Sequence, residues 1–248
     1  MWCSYYGPVL DLSARAAVIT GATGNLGHAV VRAFLERGAH VALPVRDATK
    51  AEELRAMLGS LTGTADDPHL VVETADIADR AAMDAFVEHV MRAWGRLDIL
   101  ANLAGGYGGG SAIDHDAMAR LWEQNVHTVV NATASCLRPM RARGYGRICT
   151  VSAYAALRGR KGGAPYAMAK GALLRWTEAL AEEVKGEGIT ANAVLPSTID
   201  HPVNRANMPK ADPKTWVSPT ELASVIVFLC SDEASGITGA AIPVTART

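Results

Sequence analysis

Residues 16–37 read AAVITGATGNLGHAVVRAFLER. Ala16 to Thr20 is apolar up to its last residue, as a strand buried on both faces of a parallel sheet should be. Gly21, Gly24 and Gly27 follow at once, and then apolar residues at helical spacing from Leu26 to Arg37. Glycines let a backbone approach a ligand closely. A strand that ends in a glycine turn and feeds a helix also presents the helix's first N–H groups, which hold a pyrophosphate well. This stretch predicts an α/β fold with a dinucleotide at its first β–α turn.

The same alternation continues outward. His40 to Val45 (HVALPV) reads as the second strand, and its end is where such a unit selects its cofactor. A carboxylate there bonds a ribose 2′-hydroxyl, whereas a guanidinium meets a 2′-phosphate. Val45 and Arg46 occupy the turn, so NADP(H) is preferred; Asp47, next in line, leaves NAD(H) possible. Ala48 to Leu58 reads as helix and 59–68 as a polar loop prone to disorder. Leu70 to Glu73 is a third strand ending at Asp76–Ile77, and 80–94 a helix. Leu97 to Ala101 is a fourth strand running into NLAGGYGGG, Asn102 to Gly110. Asp114 to Leu137 reads as one long helix containing Asn125. Arg147 to Val151, Ile189 to Leu195 and Ala240 to Val244 are further strands. The helix that starts near Tyr166 runs to about Gly186, and 219–231 is another. No linker or repeat divides the chain. The prediction is one domain over 1–248, a doubly wound parallel sheet of about seven strands with helices on both faces. Residues 1–13 form a leader, and the proline-rich 196–217 a substrate lid.

SAYAALRGRKGGAPYAMAK, residues 152–170, carries the chemistry. Tyr166 and Lys170 are one turn apart on one helical face. A phenol titrates near pH ~10 and is a poor acid or base at neutrality. A nearby ammonium should lower that value and let the pair move a proton. The basic residues Arg158, Arg160 and Lys161 read as a solvated loop or a subunit contact, with attraction of an anionic substrate as the alternative.

Composition excludes other classes. The 248 residues carry a formal net charge of -1, which argues against a nucleic-acid binder. Cys3, Cys136, Cys149 and Cys230 form no C-x-x-C, no histidine cluster has metal-ligand spacing, and no metal is expected. The N-terminus MWCSYYGPVLDLSAR lacks a signal-peptide pattern, and no apolar run reaches membrane-spanning length. The expectation is a cytoplasmic protein with no membrane partner.

Seven marks in order, TGATGNLG, Asp76–Ile77, NLAG, Asn125, Ser152, YAMAK and NAVLPS, identify the chain as similar to the short-chain dehydrogenase/reductase family over essentially its whole length. The resemblance implies a Rossmann fold and a reductase of small-molecule carbonyl compounds. It implies Tyr166 as general acid, and Lys170 as the group that lowers its pKa and bonds the nicotinamide ribose. Ser152 would hold and polarise the carbonyl, and Asn125 would interrupt its helix and position a water. Gly21, Thr23, Asn25, Leu26 and Gly27 would line the pyrophosphate turn. Asp76 and Ile77 would contact adenine, and Asn102, Ala104 and Gly105 would border the cofactor, with Pro196 and Ile199 closing over it. A homotetramer or dimer built through the Asn125 and Tyr166 helices is also implied.

The departures are specific. Asn25 stands where short members usually carry glycine. Ser152 lies one residue further from Tyr166 than is usual, and Ala153 takes the strict position. Ser197 follows Pro196 in place of glycine, and His201, read as a lid-surface residue, stands where a threonine commonly contacts the nicotinamide. The segment 195–212, which enters the lid, together with the glycine loop is similar to that of quinonoid dihydropteridine reductases, members that dispense with the serine. Reduction of a C=N bond is therefore the alternative activity. A cofactor-binding regulatory protein without turnover is the alternative of a different class.

Overall fold

The computed structural model describes residues 10–62 and 68–247. Most of the expected leader, Cys3 included, and the centre of the expected 59–68 loop lie outside the described residues.

Alternation along the strands builds the core. Every residue of β1 (Ala16–Thr20) is buried, but neighbours face opposite sides of the sheet. Ala17 and Ile19 join one cluster with Val30, Val31 and Phe34 of α1 (Asn25–Leu35). Val18 joins the other, with Phe86, Val87 and Val90 of α3 (Arg80–Trp94). β2 (His40–Val45) repeats the split: Val41 and Leu43 on the first side, Ala42 on the second. Burying side chains of this size contributes about 1.5–3 kcal/mol each.

β3 (Leu70–Thr74), β4 (Ile99–Asn102), β5 (Gly146–Val151), β6 (Ile189–Pro196) and β7 (Ala241–Val244) complete one parallel sheet in the order β3-β2-β1-β4-β5-β6-β7. One face is covered by α1, α2 (Ala48–Thr62) and α8 (Pro219–Leu229). The other is covered by α3, α5 (Thr128–Arg143) and α6 (Ala164–Glu183). This is the expected doubly wound Rossmann fold. Strand order reverses between β1 and β4, and the crevice at such a reversal receives ligands.

Several elements depart in detail from the sequence expectation. α2 runs on to Thr62 because Leu54 and Leu58, one turn apart, are both buried and carry it past Gly59. The fourth strand starts at Ile99, after Asp98 has turned its carboxylate onto the Ala16 N–H at 2.8 Å. The residues read as one long helix are interrupted at Asn125, as the family resemblance implied: α4 (His115–Trp122) passes through a π turn, Glu123–His127, before α5 resumes. The lid has secondary structure of its own. It holds the short α7 (Pro202–Asn207), tied down by Asn204 Nδ2 to Ile199 O at 2.8 Å.

Candidate active site

A cleft of about 1310 Å³ opens at the carboxyl ends of β1, β2, β4 and β5 and passes under the lid. Its walls come from loops that the sheet holds side by side.

The glycine turn forms one end. Gly21 has φ +71°, and a Cβ there would lie 2.8 Å from Ala104 N. Only glycine allows the turn to sit against the exit of β4. A Cβ on Gly27 would overlap Gly21 O and Ala22. Gly24 caps α1 without a side chain, and no acidic residue occupies the first turn. The first N–H groups of α1 thus have no intrahelical acceptor and face the cleft. This cradle fits an anionic pyrophosphate. Asn25, the departure from glycine, sends Nδ2 to Asp200 O at 2.8 Å and so ties the turn to the lid.

The end of β2 distinguishes two neighbours. Arg46 lines the cleft, exposed and in no ion pair among the described residues. Asp47 Oδ1 instead accepts from Lys50 N at 2.9 Å, at the start of α2. Asp76 and Ile77 line the same end, with Asp76 Oδ1 accepting from Ala78 N at 2.9 Å.

Tyr166 and Lys170 project from the first turns of α6. Lys170 is 4% exposed, and its Nζ donates to Val151 O at 3.0 Å. Burial pulls its pKa down to about 8. Tyr166 is half-buried, and burial, with the Tyr107 phenol adding to it, pushes its pKa up to about 12. The sequence expectation was a lowered phenol pKa. The ammonium does not achieve this here, because Nζ lies 5.9 Å from the phenol ring centroid and is bonded to backbone. Desolvation therefore dominates.

Ser152 is buried, and its hydroxyl donates to Lys170 O at 2.8 Å. A carbonyl can only accept, so the serine proton is committed to the α6 backbone. Asn125 is fully buried in the π turn. Its Nδ2 donates to Leu121 O at 3.0 Å and Gly106 O at 3.1 Å, and its Oδ1 accepts from Gly106 N at 3.1 Å. This two-way clamp pins the glycine loop. A Cβ on Gly105 would lie 2.6 Å from Asn125 Oδ1 and 3.2 Å from Lys170 Nζ, so the two side chains converge under that glycine.

The cleft brings together Gly21, Thr23, Asn25, Leu26, Gly27, Arg46, Asp76 and Ile77 with Ala104, Gly105, Ser152, Tyr166, Lys170, Pro196 and Ile199. Asn125 and Asn102 stand behind its wall. Asn102, expected beside the cofactor, is 1% exposed and turns Nδ2 to Thr133 Oγ1 at 3.1 Å. Strand alternation aims it at α5, and the following backbone takes the cleft position. His201 also lies off the cleft wall; its Nδ1 accepts from Val203 N at 3.1 Å and caps α7.

Sequence reasoning passed over several wall residues. Tyr107 is 77% exposed and meets Tyr166 edge to face, ring centroids 5.1 Å apart. An aromatic side chain within a glycine loop after a strand was its available signal. Gln124, packed on Gly106, and Thr198 carried none. Among the described residues no three metal-ligating side chains cluster, and no helix is long and apolar enough to cross a membrane.

A family profile described as short chain dehydrogenase matches residues 15–212. The chain is 31% identical to the meso-2,3-butanediol dehydrogenase of Serratia marcescens, over 93% of this chain and 92% of that one. It is 29% identical to the 3-oxoacyl-[acyl-carrier-protein] reductase of Salmonella typhimurium, over 93% and 95%. The crystal structure of an NAD+-bound xylitol dehydrogenase superposes with a TM-score of 0.85 at 24% identity, covering 95% of this chain and 99% of that one, and shares the fold.

Proposed function

The chain belongs to the short-chain dehydrogenase/reductase family, an NAD(P)-dependent oxidoreductase acting on CH–OH and C=O groups, and on that premise we propose that it is an NADPH-dependent reductase of a small-molecule carbonyl compound. The observation that carries the proposal is a phenol kept protonated beside a buried lysine in a cleft built for a dinucleotide. The cofactor, when bound, supplies the hydride.

The chain's own residues do the rest. Tyr166 holds its proton at neutral pH and gives it to the oxygen of the reduced carbonyl. Lys170, charged below about pH 8 and held by Val151 O, is the residue that would bond the nicotinamide ribose when the cofactor is present. Ser152 fixes the turn of α6 that carries Lys170, through its bond to that residue's carbonyl. Asn125 holds the 105–106 backbone against the same site. The glycine turn and the start of α1 hold the pyrophosphate, Asp76 and Ile77 the adenine end. NADP(H) is favoured over NAD(H) because Arg46 lines the cleft with no ion-pair partner among the described residues, while Asp47 is spent on the start of α2.

A C=N substrate is the second reading. It is favoured by the commitment of the Ser152 proton, which leaves Tyr166 without the partner hydroxyl expected to polarise a carbonyl. A homo-oligomer is also proposed, with Trp122, Val130 and Met168, exposed on α4, α5 and α6, as the surface a second copy covers. The test of function is NADPH oxidation with ketones, aldehydes and a quinonoid dihydropterin. Turnover of carbonyls supports the first reading and turnover of the pterin alone the second. Tight NADPH binding with no turnover indicates a regulatory protein.

A further inference from the structure

The basic residues that the sequence left as a solvated loop line the cleft. Arg158, Arg160 and Lys161 sit on its wall with Tyr166, and Arg120 of α4 lines the same cleft. One loop carries Arg158, Arg160 and Lys161, and it is bonded to the glycine loop that leads into α4. Gly110 N donates to Gly162 O at 3.0 Å, and Gly110 pairs with Gly163 as an isolated bridge. Arg120 lies along the glycine loop, since a Cβ on Gly108 would be 3.1 Å from its guanidinium.

Their lack of partners sets these cations apart. Among the described residues the arginines in no ion pair are Arg37, Arg46, Arg92, Arg120, Arg158 and Arg160. All but Arg37 and Arg92 line this one cleft. Arg46 stands at its cofactor end, and the remaining three, Arg120, Arg158 and Arg160, belong to the segments next to Tyr107 and Tyr166. Two carboxylates come near this rim: Glu123 meets His127 Nδ1 at 3.0 Å, and Asp114, beside Gly110, accepts from Ala117 N at 2.9 Å and caps α4. Unpaired cations with little carboxylate nearby raise the local concentration of anions, most strongly between low-dielectric walls. Guanidinium groups pair with carboxylate and phosphate in two-point contacts.

We propose that the substrate carries an anionic group, a carboxylate or a phosphate, which Arg120, Arg158, Arg160 and Lys161 hold while its carbonyl lies at Tyr166. This deepens the reductase reading and rests on it for the identity of the reacting group.

The test uses matched pairs: 4-oxopentanoate against its methyl ester, and dihydroxyacetone phosphate against dihydroxyacetone. For each pair, kcat/KM with NADPH is measured at low and high salt. Binding of each compound to the NADP+-loaded protein is measured by calorimetry. The anionic member of at least one pair should be favoured by tenfold or more, and the preference should shrink with salt. Exchange of Arg158, Arg160 and Lys161 for Gln should cut the anion-to-neutral ratio at least tenfold, whereas Arg92→Gln should leave the ratio as it was. Whichever pair discriminates identifies the group as carboxylate or phosphate. Equal kcat/KM within both pairs, unmoved by salt or by the triple exchange, overturns the anion subsite and leaves the reductase reading standing. Without turnover of any compound, selective anion binding lost in the triple variant upholds the subsite and counts against the reductase. Binding that does not discriminate overturns the subsite as well.

Discussion

The Ser152 hydroxyl donates to the main-chain oxygen of Lys170 at 2.8 Å, so the two residues are coupled through backbone and not through the ammonium. Family likeness implies a serine that polarises the substrate. The bond makes Ser152 a residue that sets where Lys170 stands. Ser152→Ala should cost about 1 kcal/mol of stability, as loss of a neutral hydrogen bond does, and lower kcat less than tenfold. Ala153→Ser, which adds a hydroxyl next along the cleft wall, should raise kcat on ketones. Thermal unfolding and steady-state kinetics on the two variants check both expectations.

Lys170 couples stability to pH with a definite sign. Its folded pKa, about 8, lies below the ordinary 10.5. Below pH 8 both folded and unfolded chains carry the charge, and the folded one bears its desolvation. Between about 8 and 10.5 the folded chain has released a proton that the unfolded chain retains, so stability from this residue rises with pH across that window. Lys170→Met should remove that rise. At pH 7 it should stabilise by on the order of 2 kcal/mol, net of the lost bond to Val151 O. Turnover should fall at least a hundredfold. Denaturant unfolding at pH 7 and pH 10 reads the first effect, and NADPH oxidation the second.

Arg46 should decide between cofactors. Arg46→Ala should raise the KM for NADPH by roughly ten- to a hundredfold, the worth of a charge-assisted bond to phosphate, and change that for NADH little. Asp47→Ala should affect α2 and neither KM.

Asp98 anchors the amino-terminal ends of the central strands, opposite the cleft. Its carboxylate is fully buried, accepts from Ala16 N, and meets Arg96 Nε at 2.6 Å and Arg143 at 3.4 Å. Asp98→Ala leaves buried donors unpaired and should cost about 3–5 kcal/mol. The residue is not on the cleft wall, so kcat per folded molecule should hold, and melting with active-site titration separates the two.

The fold was legible wherever local pattern and tertiary role agree. The apolar run Ala16 to Thr20 and the glycines of the first turn each meant in three dimensions what they mean in one, and the Tyr166–Lys170 spacing put both residues on the cleft wall though not in the expected charge contact. The failures share a cause, which is contact between distant segments. Nothing near Asn125 announces Gly106, whose N–H and C=O it clamps and around which the helix opens into a π turn. The phenol pKa depends on how deeply α6 buries Tyr166 and on the Tyr107 ring laid against it. The basic loop could be placed in the cleft only once Gly110 was known to bond Gly162.

The most direct measurement is the rate of NADPH oxidation on a substrate found in the carbonyl panel, compared between the wild-type protein and Tyr166→Phe, with NADPH affinity measured on both. The account predicts a loss in kcat of about 10²–10⁴, the range for removal of a general acid, with NADPH affinity changed less than threefold. A Tyr166→Phe protein that turns over within tenfold of wild type would contradict it, because the proton would then come from elsewhere.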